Sequence, residues 1–526
     1  MKGNLGAIGR CGLACAAVLL ATVFACGQKV SVTTWHNDNL RDGQNVHETI
    51  LTTSNVNSSS FGKLFSYPVD GAIYAQPLYV PNLSIPGQGT HNVVFVATEN
   101  DGVYAFDADG LNTSPLWQDS LLTAGRSAIP CGLVGICNVL SQTTGITSTP
   151  VIDTAGGTIY VLALTMGTGG SPVDYLHALD LTTGAEKFGG PAVVAASVPG
   201  TGAGSVGGMV TFDAMHQLQR PGLLLLNGVV YIGWGSFGDM DPYHGWVMGY
   251  HSTTLAQVAV FNTTPNGTRG AIWQGGGGLS ADSSGFIYVQ TANGTFDVNA
   301  GGIDYGDSFL KLSTTGGLSV VDYFTPKNQG MLETDDLDLG SGAGLMLPTQ
   351  TGSHPSEILS ADKQGIIYLV DRSAMGGYSP TMNNNVQTLV GAASGYRNSA
   401  AYWNGAVYYH GVGDFLDRYT VRGGMLSTKP VSKSPTTYVQ GSTPSISANG
   451  TGNGIVWAID PGSPPFTNPA VLHAYNALNV AQELYNSSQA GTRDTAGPGV
   501  KFTTPTIANG KVYIGTSNQL DVYGLL

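Results

Sequence analysis

Short hydrophobic segments separated by turn residues recur along most of the chain, whereas the spacing of apolar residues typical of helices is nearly absent. One representative stretch reads STPVID from Ser148, TIYVLAL from Thr158 and LHALDLTTG from Leu176. Each segment is rich in Val, Ile, Leu and Tyr and is bounded by Gly, Asn, Asp or Pro, which is typical of β-strands joined by tight turns. The pattern predicts an all-β protein.

The segments form eight similar sets, which is the kind of repetition that decides a fold. The sets begin near Ala75, Ser148, Gly222, Ala271, Glu357, Ala400, Thr443 and Thr504. The last set supplies only three strands, and KLFSYPV at residues 63–69 offers a fourth ahead of the first set. We therefore predict an eight-bladed β-propeller of four-stranded blades, closed by the N- and C-terminal strands. A pair of two-sheet sandwiches, the alternative, would not explain eight similar units.

Composition and charge exclude several functional classes. Gly supplies 75 of the 526 residues, about twice the usual share, while only 10% of residues are charged against roughly 25% in an average domain. With 42% hydrophobic residues the chain can bury a large core, so we expect no disorder and no coiled coil. The 21 basic and 34 acidic residues give a net charge of −13, which argues against nucleic acid and anionic membrane surfaces as partners.

The N-terminus resembles an export signal. Lys2 and Arg10 precede a short apolar run at residues 11–25 that ends in a small residue. We predict a signal peptide over 1–25, a lead-in segment over 26–60 and the propeller over 61–526. Val-Phe-Ala-Cys before and at Cys26 resembles a bacterial lipobox, so two alternatives stay open: lipidation of Cys26, or simple cleavage after Ala25. The expected location is the periplasm, the outer envelope or the medium, with contact to a membrane only through a lipid anchor.

Two cysteines remain in the body of the chain after the signal region. Cys131 and Cys137 are separated by Gly-Leu-Val-Gly-Ile, and in an oxidising compartment we expect them to form a disulfide. The sequence has no CxxCH motif, so we expect no covalently attached c-type haem.

The repeat at residues 149–184, with its TP, G-x-I-Y-V and L-x-A-L-D-x-x-T-G elements, resembles the repeat of the pyrroloquinoline quinone (PQQ) propeller family. That family includes periplasmic quinoprotein alcohol dehydrogenases and also non-enzymatic outer-membrane assembly proteins. The resemblance covers nearly all of the chain after the signal region. Residues 51–65 (LTTSNVNSSSFGKLF) resemble the segment that leads into the family's first blade.

The resemblance implies a site in the fourth and fifth blades. Trp273 matches the Trp that forms the floor under the quinone, and Asn293 matches an Asn that ligates calcium. Asp338, the last residue of TDDLD, stands at the position of the catalytic base. Lys363 matches the cation that contacts the quinone oxygens, and Asn398 matches the Asn of an Asn-Trp pair, although Ser399 replaces the Trp.

The sequence also departs from the family pattern. The vicinal cysteine pair that covers the quinone is missing, with Cys131 and Cys137 in the corresponding stretch, and the Arg that follows that pair has no counterpart. The Glu that binds calcium in the third blade is at best Asp239. A shorter carboxylate in a longer loop weakens the match at the metal site.

Two hypotheses of different classes follow from these observations. The first is an exported dehydrogenase that uses PQQ and calcium to oxidise an alcohol or sugar-type substrate, with Trp273, Asn293, Asp338, Lys363 and Asn398 converging at one end of the channel. The second is a non-catalytic propeller scaffold that binds proteins or glycans at the cell envelope. Taken singly, each matched residue also has an ordinary structural explanation, such as a turn for Asn293 or a solvated acidic loop around Asp338.

Overall fold

The computed structural model of the protein describes residues 30–123, 125–137 and 141–526, which form eight antiparallel four-stranded sheets arranged as the blades of a propeller. The prediction of an all-β, eight-bladed propeller is confirmed. The predicted signal peptide and the lipidation of Cys26 fall outside the described residues.

Each blade runs from an inner strand beside the channel to an outer strand at the rim. From inside outward, blade 1 contains Leu78–Ile85, Gly89–Ala97, Gly102–Asp107 and Trp117–Ser120; blade 2 contains Val151–Asp153, Thr158–Met166, Pro172–Asp180 and Ala192–Val193; blade 3 contains Leu224–Leu226, Val229–Ser236, Trp246–His251 and Gln257–Asn262; and blade 4 contains Ser280–Ala281, Ile287–Gln290, Phe309–Ser313 and Ser319–Thr325.

The second half of the ring repeats this arrangement. Blade 5 contains Leu345–Met346, Glu357–Ala361, Ile367–Asp371 and Gln387–Leu389; blade 6 contains Ala401–Trp403, Ala406–His410, Asp414–Arg422 and Ser432–Tyr438; blade 7 contains Ser445–Asn449, Gly452–Asp460, Val471–Asn476 and Glu483–Asn486; and blade 8 contains Thr506–Ala508, Lys511–Gly515, Gln519–Leu525 and Phe61–Pro68.

The loops between the blade strands contain additional short strands and helices. The additional strands are Gln44–Asn45, Ser127–Pro130, Thr143–Thr144, Ser197–Pro199, Met209–Thr211, Gln217–Leu218, Gly377–Tyr378 and Met425–Leu426. The described helices are the α-helix Gln329–Asp335 and the 3-10 turns Gln274–Gly276, Val298–Ala300, Leu339–Ser341 and Gly491–Asp494. Within the described ranges, no helix is long and apolar enough to cross a bilayer.

The ring closes between the two ends of the chain, as the missing strand of the last repeat predicts. Phe61–Pro68 pairs antiparallel with Gln519–Leu525, so that Phe61 lies opposite Leu525 and Pro68 opposite Gln519. Closure by strand pairing ties residues more than 450 positions apart in sequence and leaves no gap between the first and last blades.

Tight hairpins explain much of the glycine content. The Asn-Gly pairs at 227–228, 404–405 and 509–510 each have positive φ at both residues, which are 51° and 77° at the first pair. These values are typical of the type I′ turns that join strands with the natural twist, where Asn and Gly are the favoured residues. Each pair connects an inner strand to its neighbour, in blades 3, 6 and 8 respectively.

The blades are held together by large apolar side chains between neighbouring sheets. Trp234, Trp246, Trp403 and Trp457 are fully buried in the clusters between blades. Gly454 of blade 7 faces the indole ring of Trp403 in blade 6 so closely that any Cβ at position 454 would collide with it. Burial of this kind of surface is the main stabilising contribution to the ring.

The lead-in segment fills the channel, an arrangement that the repeat pattern does not predict. Backbone or side-chain groups of residues 32–45 form a hydrogen bond with the second residue of the inner strand in every blade. These second residues are Tyr79, Ile152, Leu225, Ala281, Met346, Tyr402, Ile446 and Ile507. The segment thus supplies partners for the inner strand edges, which would otherwise face an empty channel.

Arg41 anchors this segment at the centre of the ring. Its guanidinium group is buried, and it donates to the carbonyl oxygens of Leu279 at 2.8 Å, Trp35 at 2.8 Å and Leu223 at 3.4 Å, and to Thr34 Oγ1 at 2.7 Å. Burial lowers the pKa of Arg41 to about 10, so the group stays charged at neutral pH. One side chain therefore joins the lead-in segment to blades 3 and 4.

We expect the substitution Arg41→Met to destabilise the fold by about 2–4 kcal/mol, because several buried carbonyl oxygens lose their donor while the side-chain volume is nearly kept. Urea denaturation of the purified protein measures the loss. The exposed Arg422, at the end of a strand in blade 6, provides the matched control. A loss for Arg41→Met no greater than that for Arg422→Met would contradict the anchoring role.

Candidate functional site

A cavity of about 270 Å³ lies at the end of the channel where the inner strands begin. Its lining includes Arg220, Gly275, Ser341, Arg397 and Phe502, each of which stands within a few residues before the inner strand of blades 3, 4, 5, 6 and 8 respectively. Because all inner strands run in the same direction, these loops meet at one end. The lead-in segment closes the channel beyond them.

The walls of the cavity are partly apolar and flat. Trp273 lies against Gly235, where a Cβ would be 3.2 Å from the indole Cδ2 atom, so glycine lets the ring pack on the backbone of blade 3. Ile136, Leu218 and Phe502 complete the apolar lining. A planar ring system could stack in such a space.

Ile136 belongs to the loop closed by Cys131 and Cys137. The two cysteines form a disulfide with a Cα–Cα distance of 4.8 Å, so the predicted bond is confirmed. The bond holds the loop between two short strands, Ser127–Pro130 and Thr143–Thr144, that pair with each other. The disulfide thereby fixes one apolar side chain at the cavity.

Two contacts, one to each carboxylate oxygen, hold Asp338 at the wall of the cavity. Its Oδ1 accepts the backbone N–H of Asn293 at 3.1 Å, and its Oδ2 lies 2.6 Å from Lys363 Nζ. The Asp338 side chain is only 5% exposed, whereas that of Asp336, which also pairs with Lys363 at 2.7 Å, is 59% exposed. The backbone N–H of Lys363 donates to the Asp338 carbonyl, which locks the two residues together.

Burial and charge act in opposite directions on this pair. Burial raises the pKa of Asp338, and the Lys363 ammonium group and the N–H of Asn293 offset only part of that rise. Burial lowers the pKa of Lys363, but Asp338 and Asp336 outweigh it and the net pKa is raised. Lys363 therefore favours the charged form of Asp338, while burial increases the affinity of the Asp338 carboxylate for a proton.

A second carboxyl group, Asp307, lies behind Asp338. It is fully buried, and its Oδ1 accepts the backbone N–H of Leu339 at 3.1 Å. Burial raises its pKa well above the ordinary value, and the charge of Asp338 raises it further. Asp338 has Lys363 as a counter-ion, whereas Asp307 forms no ion pair in the described part of the chain, so burial favours the protonated form of Asp307 more strongly than that of Asp338.

The cavity also contains three cations that the sequence analysis missed, Arg220, Arg397 and Lys501. None of the three forms an ion pair with a residue in the described ranges. Arg220 is 3% exposed, lies 4.1 Å over the ring of Phe502 and has one terminal nitrogen, Nη2, without a hydrogen-bond partner. Burial, together with Arg220, Arg397 and Lys363, lowers the pKa of Lys501 to about 8.

The structure brings together most, but not all, of the predicted site residues. Trp273, Asp338, Lys363 and Asp239 line the same cavity. Asn293 is buried behind Asp338, which it contacts through its backbone N–H. Asn398 is buried as well, and its amide group donates to the carbonyl oxygens of Gln440 at 3.0 Å and His410 at 3.3 Å. Neither Asn293 nor Asn398 is among the residues that line the cavity, so the expected convergence of all five residues is incomplete.

The predicted metal ligands, Asp239 and Asn293, do not form a calcium site in this geometry. Asp239 is exposed, and its Oδ1 accepts the Tyr243 hydroxyl at 2.9 Å. Asn293 Oδ1 is buried without a partner. Over the described ranges, no group of three or more His, Cys, Asp or Glu side chains is placed to hold a metal ion, whereas calcium takes six to eight oxygen ligands. The excess of cations and the flat apolar wall of the cavity fit an anionic quinone, whereas the oxygen donors of Asp239 and Asn293 do not fit calcium.

Comparison with known proteins identifies similar solved structures but no sequence family. No protein-family model and no curated protein sequence matches the chain. The quinohemoprotein alcohol dehydrogenase ADHIIG of Pseudomonas putida superimposes with a TM-score of 0.59 at 13% identity, over 94% of this chain and 80% of that one. The quinohemoprotein alcohol dehydrogenase of Comamonas testosteroni gives a TM-score of 0.60 at 14% identity, over 94% and 80% of the two chains.

A europium-containing methanol dehydrogenase superimposes equally well, with a TM-score of 0.60 at 13% identity, over 94% of this chain and 98% of that one. At such low identity these likenesses concern the fold. They confirm the resemblance that the repeat pattern indicates, and the chain has the β-propeller fold of the quinoprotein alcohol and methanol dehydrogenases.

Proposed function

We propose that the protein is an exported quinoprotein that binds a PQQ-type quinone in the cavity and uses it to oxidise an alcohol or a sugar-type alcohol. The observation that carries this proposal is a cavity that gathers Arg220, Arg397 and Lys501, three cations that form no close ion pair in the described part of the chain, although the net charge of the protein is −13. The buried Glu99 acts on Arg220 through its charge but does not pair with it. Arg220 is buried and Lys501 is partly buried, whereas Arg397 is exposed at the mouth of the cavity, and burying a cation without an ion pair costs free energy. An anionic ligand that lies against Trp273 would neutralise them.

Export is part of the proposal because two observations support it. The N-terminal sequence resembles a signal peptide, and the body of the chain has a disulfide at Cys131–Cys137, which is typical of an oxidising compartment. Whether Cys26 is lipidated or is left unmodified by cleavage after Ala25, the propeller would work outside the cytoplasm.

The residues of the chain have distinct tasks in this proposal. A bound PQQ would supply a two-electron acceptor and three carboxylate groups. Arg220, Arg397 and Lys501 would bind those carboxylates, and Trp273 would support the rings. Ile136, held by the disulfide loop, would keep water from that side of the cavity.

Asp338 is the group that would remove the proton from the substrate hydroxyl. Its raised pKa makes it a stronger base than an exposed carboxylate, and its position at the cavity wall leaves it accessible to a small alcohol. Lys363, paired with Asp338, would hold the carboxylate in one orientation and keep positive charge beside the oxygen of the substrate. Asp307 lies behind them, where burial favours its protonated form.

Titration of the purified protein with PQQ tests the proposal. Quenching of tryptophan fluorescence and the quinone absorbance report binding, and dye reduction with a series of alcohols reports turnover. We expect Arg397→Gln to weaken PQQ binding about tenfold or more, because a charge-assisted contact is lost. Arg422→Gln, a change at an exposed position on blade 6, should leave the affinity unchanged. Failure of the wild type to bind PQQ would instead favour the non-catalytic scaffold that binds proteins or glycans.

The affinity for PQQ should also depend on pH through Lys501. Its pKa is lowered to about 8, so the ammonium group loses its proton as pH rises through that value, and one positive charge leaves the cavity. We expect the dissociation constant to increase about tenfold between pH 7 and pH 9, with uptake of a proton on binding above pH 8. Isothermal titration calorimetry in buffers of different ionisation enthalpy measures both. Lys501→Arg keeps the charge and should give a flat profile; a wild-type profile equally flat would exclude this role for Lys501.

A further inference from the structure

We propose that the quinone site works without a divalent metal ion, because the protein supplies the positive charge through its own side chains, Lys363 foremost. This inference rests on the proposed function. It departs from the sequence-based expectation of a calcium ion held by Asn293 and Asp239, and it follows from three features of the cavity.

The first feature is that each carboxylate oxygen of Asp338 already has a partner and that one of these partners is a cation. Oδ1 accepts the N–H of Asn293 at 3.1 Å, and Oδ2 faces the Lys363 ammonium group at 2.6 Å. Lys363 also bridges to Asp336 at 2.7 Å. A cation that contacts two carboxylates at once already occupies the electrostatic position for which a divalent ion would compete.

The second feature is that the two remaining candidate ligands lie in different surroundings. Asn293 Oδ1 is buried, and Asn293 does not line the cavity, whereas Asp239 is exposed on its rim and accepts the Tyr243 hydroxyl. One amide oxygen and one exposed carboxylate would leave most of the six to eight oxygen positions around calcium to water or backbone carbonyl groups.

The third feature is the sign of the charge in the cavity. Four cations, Arg220, Lys363, Arg397 and Lys501, line it together with three carboxylates, Asp239, Asp336 and Asp338. A divalent cation would enter a space in which positive charges already outnumber negative ones, whereas a polyanionic quinone would reverse that excess. The charges favour the quinone alone.

The test compares PQQ binding with and without calcium. Protein stripped of metal ions with EGTA is titrated with PQQ twice, once in EGTA and once in 1 mM CaCl₂. Quenching of tryptophan fluorescence reports PQQ binding in both titrations. We expect the two dissociation constants to agree within about threefold, and Lys363→Met to weaken binding about tenfold in both conditions. Lys429→Met, at an exposed position, is the matched control.

Two results would overturn the inference, and they have different consequences for the proposed function. A tightening of PQQ binding by calcium of about tenfold or more, lost in Asp239→Asn or Asn293→Ala, would show that a metal ion is required and would leave the proposed function intact. Absence of binding in both buffers would remove the proposed function and this inference together. Calorimetric titration of CaCl₂ into the PQQ-loaded protein adds a direct measurement, for which we expect no stoichiometric binding.

Discussion

Replacement of Asp338 by Asn should lower kcat for PQQ-dependent dye reduction about 10³-fold, while PQQ binding changes little. The amide keeps the acceptor for the N–H of Asn293 and the volume of the side chain, but it cannot take the hydroxyl proton. Steady-state dye reduction with a primary alcohol measures the loss, and circular dichroism verifies the fold. Because binding precedes the proton transfer, the effect should appear in kcat.

Asp336 provides the control for this experiment. It contacts the same Lys363 ammonium group, but its side chain is 59% exposed where that of Asp338 is 5% exposed. Asp336→Asn removes a similar charge from the same lysine, and we expect it to change kcat less than about fivefold. If the two substitutions reduced kcat equally, Asp338 would act through the charge of Lys363 and not as the base.

The stability of the fold should decrease as pH rises from 5 to 8, and Asp174→Asn should remove a large part of that decrease. Asp174 is fully buried, its Oδ2 accepts the indole N–H of Trp234 at 3.0 Å, and its Oδ1 has no partner. Burial raises its pKa to about 8. Between the unfolded-state value near 4 and pH 8, the native state keeps a proton that the unfolded state has lost, so stability falls as pH rises.

The size of the effect follows from the three pH units between 5 and 8, at about 1.4 kcal/mol for each unit, which gives about 4 kcal/mol. We expect the substitution to flatten the profile by this amount, because Asn cannot ionise and its side-chain oxygen can still accept from Trp234. Urea denaturation at pH 5 and pH 8 measures the difference. Asp213→Asn, whose side chain is 59% exposed, should leave the slope as it is in the wild type. An unchanged slope in Asp174→Asn would mean that water or another group compensates the buried carboxyl.

The fold could be predicted from the sequence because short segments within each repeat determine the strands and turns of one blade. Short β-rich segments bounded by turn residues repeat in every unit, with Asn-Gly turns such as Asn227-Gly228 in three of them. The absence of one strand from the last repeat indicates how the ring closes. The channel-filling segment was not accessible in the same way. Its contacts join residues 32–45 to eight separate blades, and no period in the sequence relates those partners.

The sequence likewise predicts some residues of the candidate site and misses others. Trp273, Asp338 and Lys363 come from neighbouring blades in a linear order that a family pattern preserves, so sequence comparison could find them. Arg220, Arg397 and Lys501 come from blades 3, 6 and 8, and only the closed ring makes them neighbours. Asn398 matches the family pattern in residue type, but its amide group donates to two backbone carbonyl oxygens and Asn398 does not line the cavity.

The course of the lead-in segment also determines which end of the channel stays open. Val32 pairs antiparallel with Tyr79, near the start of the inner strand of blade 1, so residues 30 and 31 run toward the far end of that strand and away from the cavity. The segment that plugs the ring thus enters from the face opposite the cavity, and its first described residues do not cross the cavity mouth. A ligand can approach that mouth without displacing them.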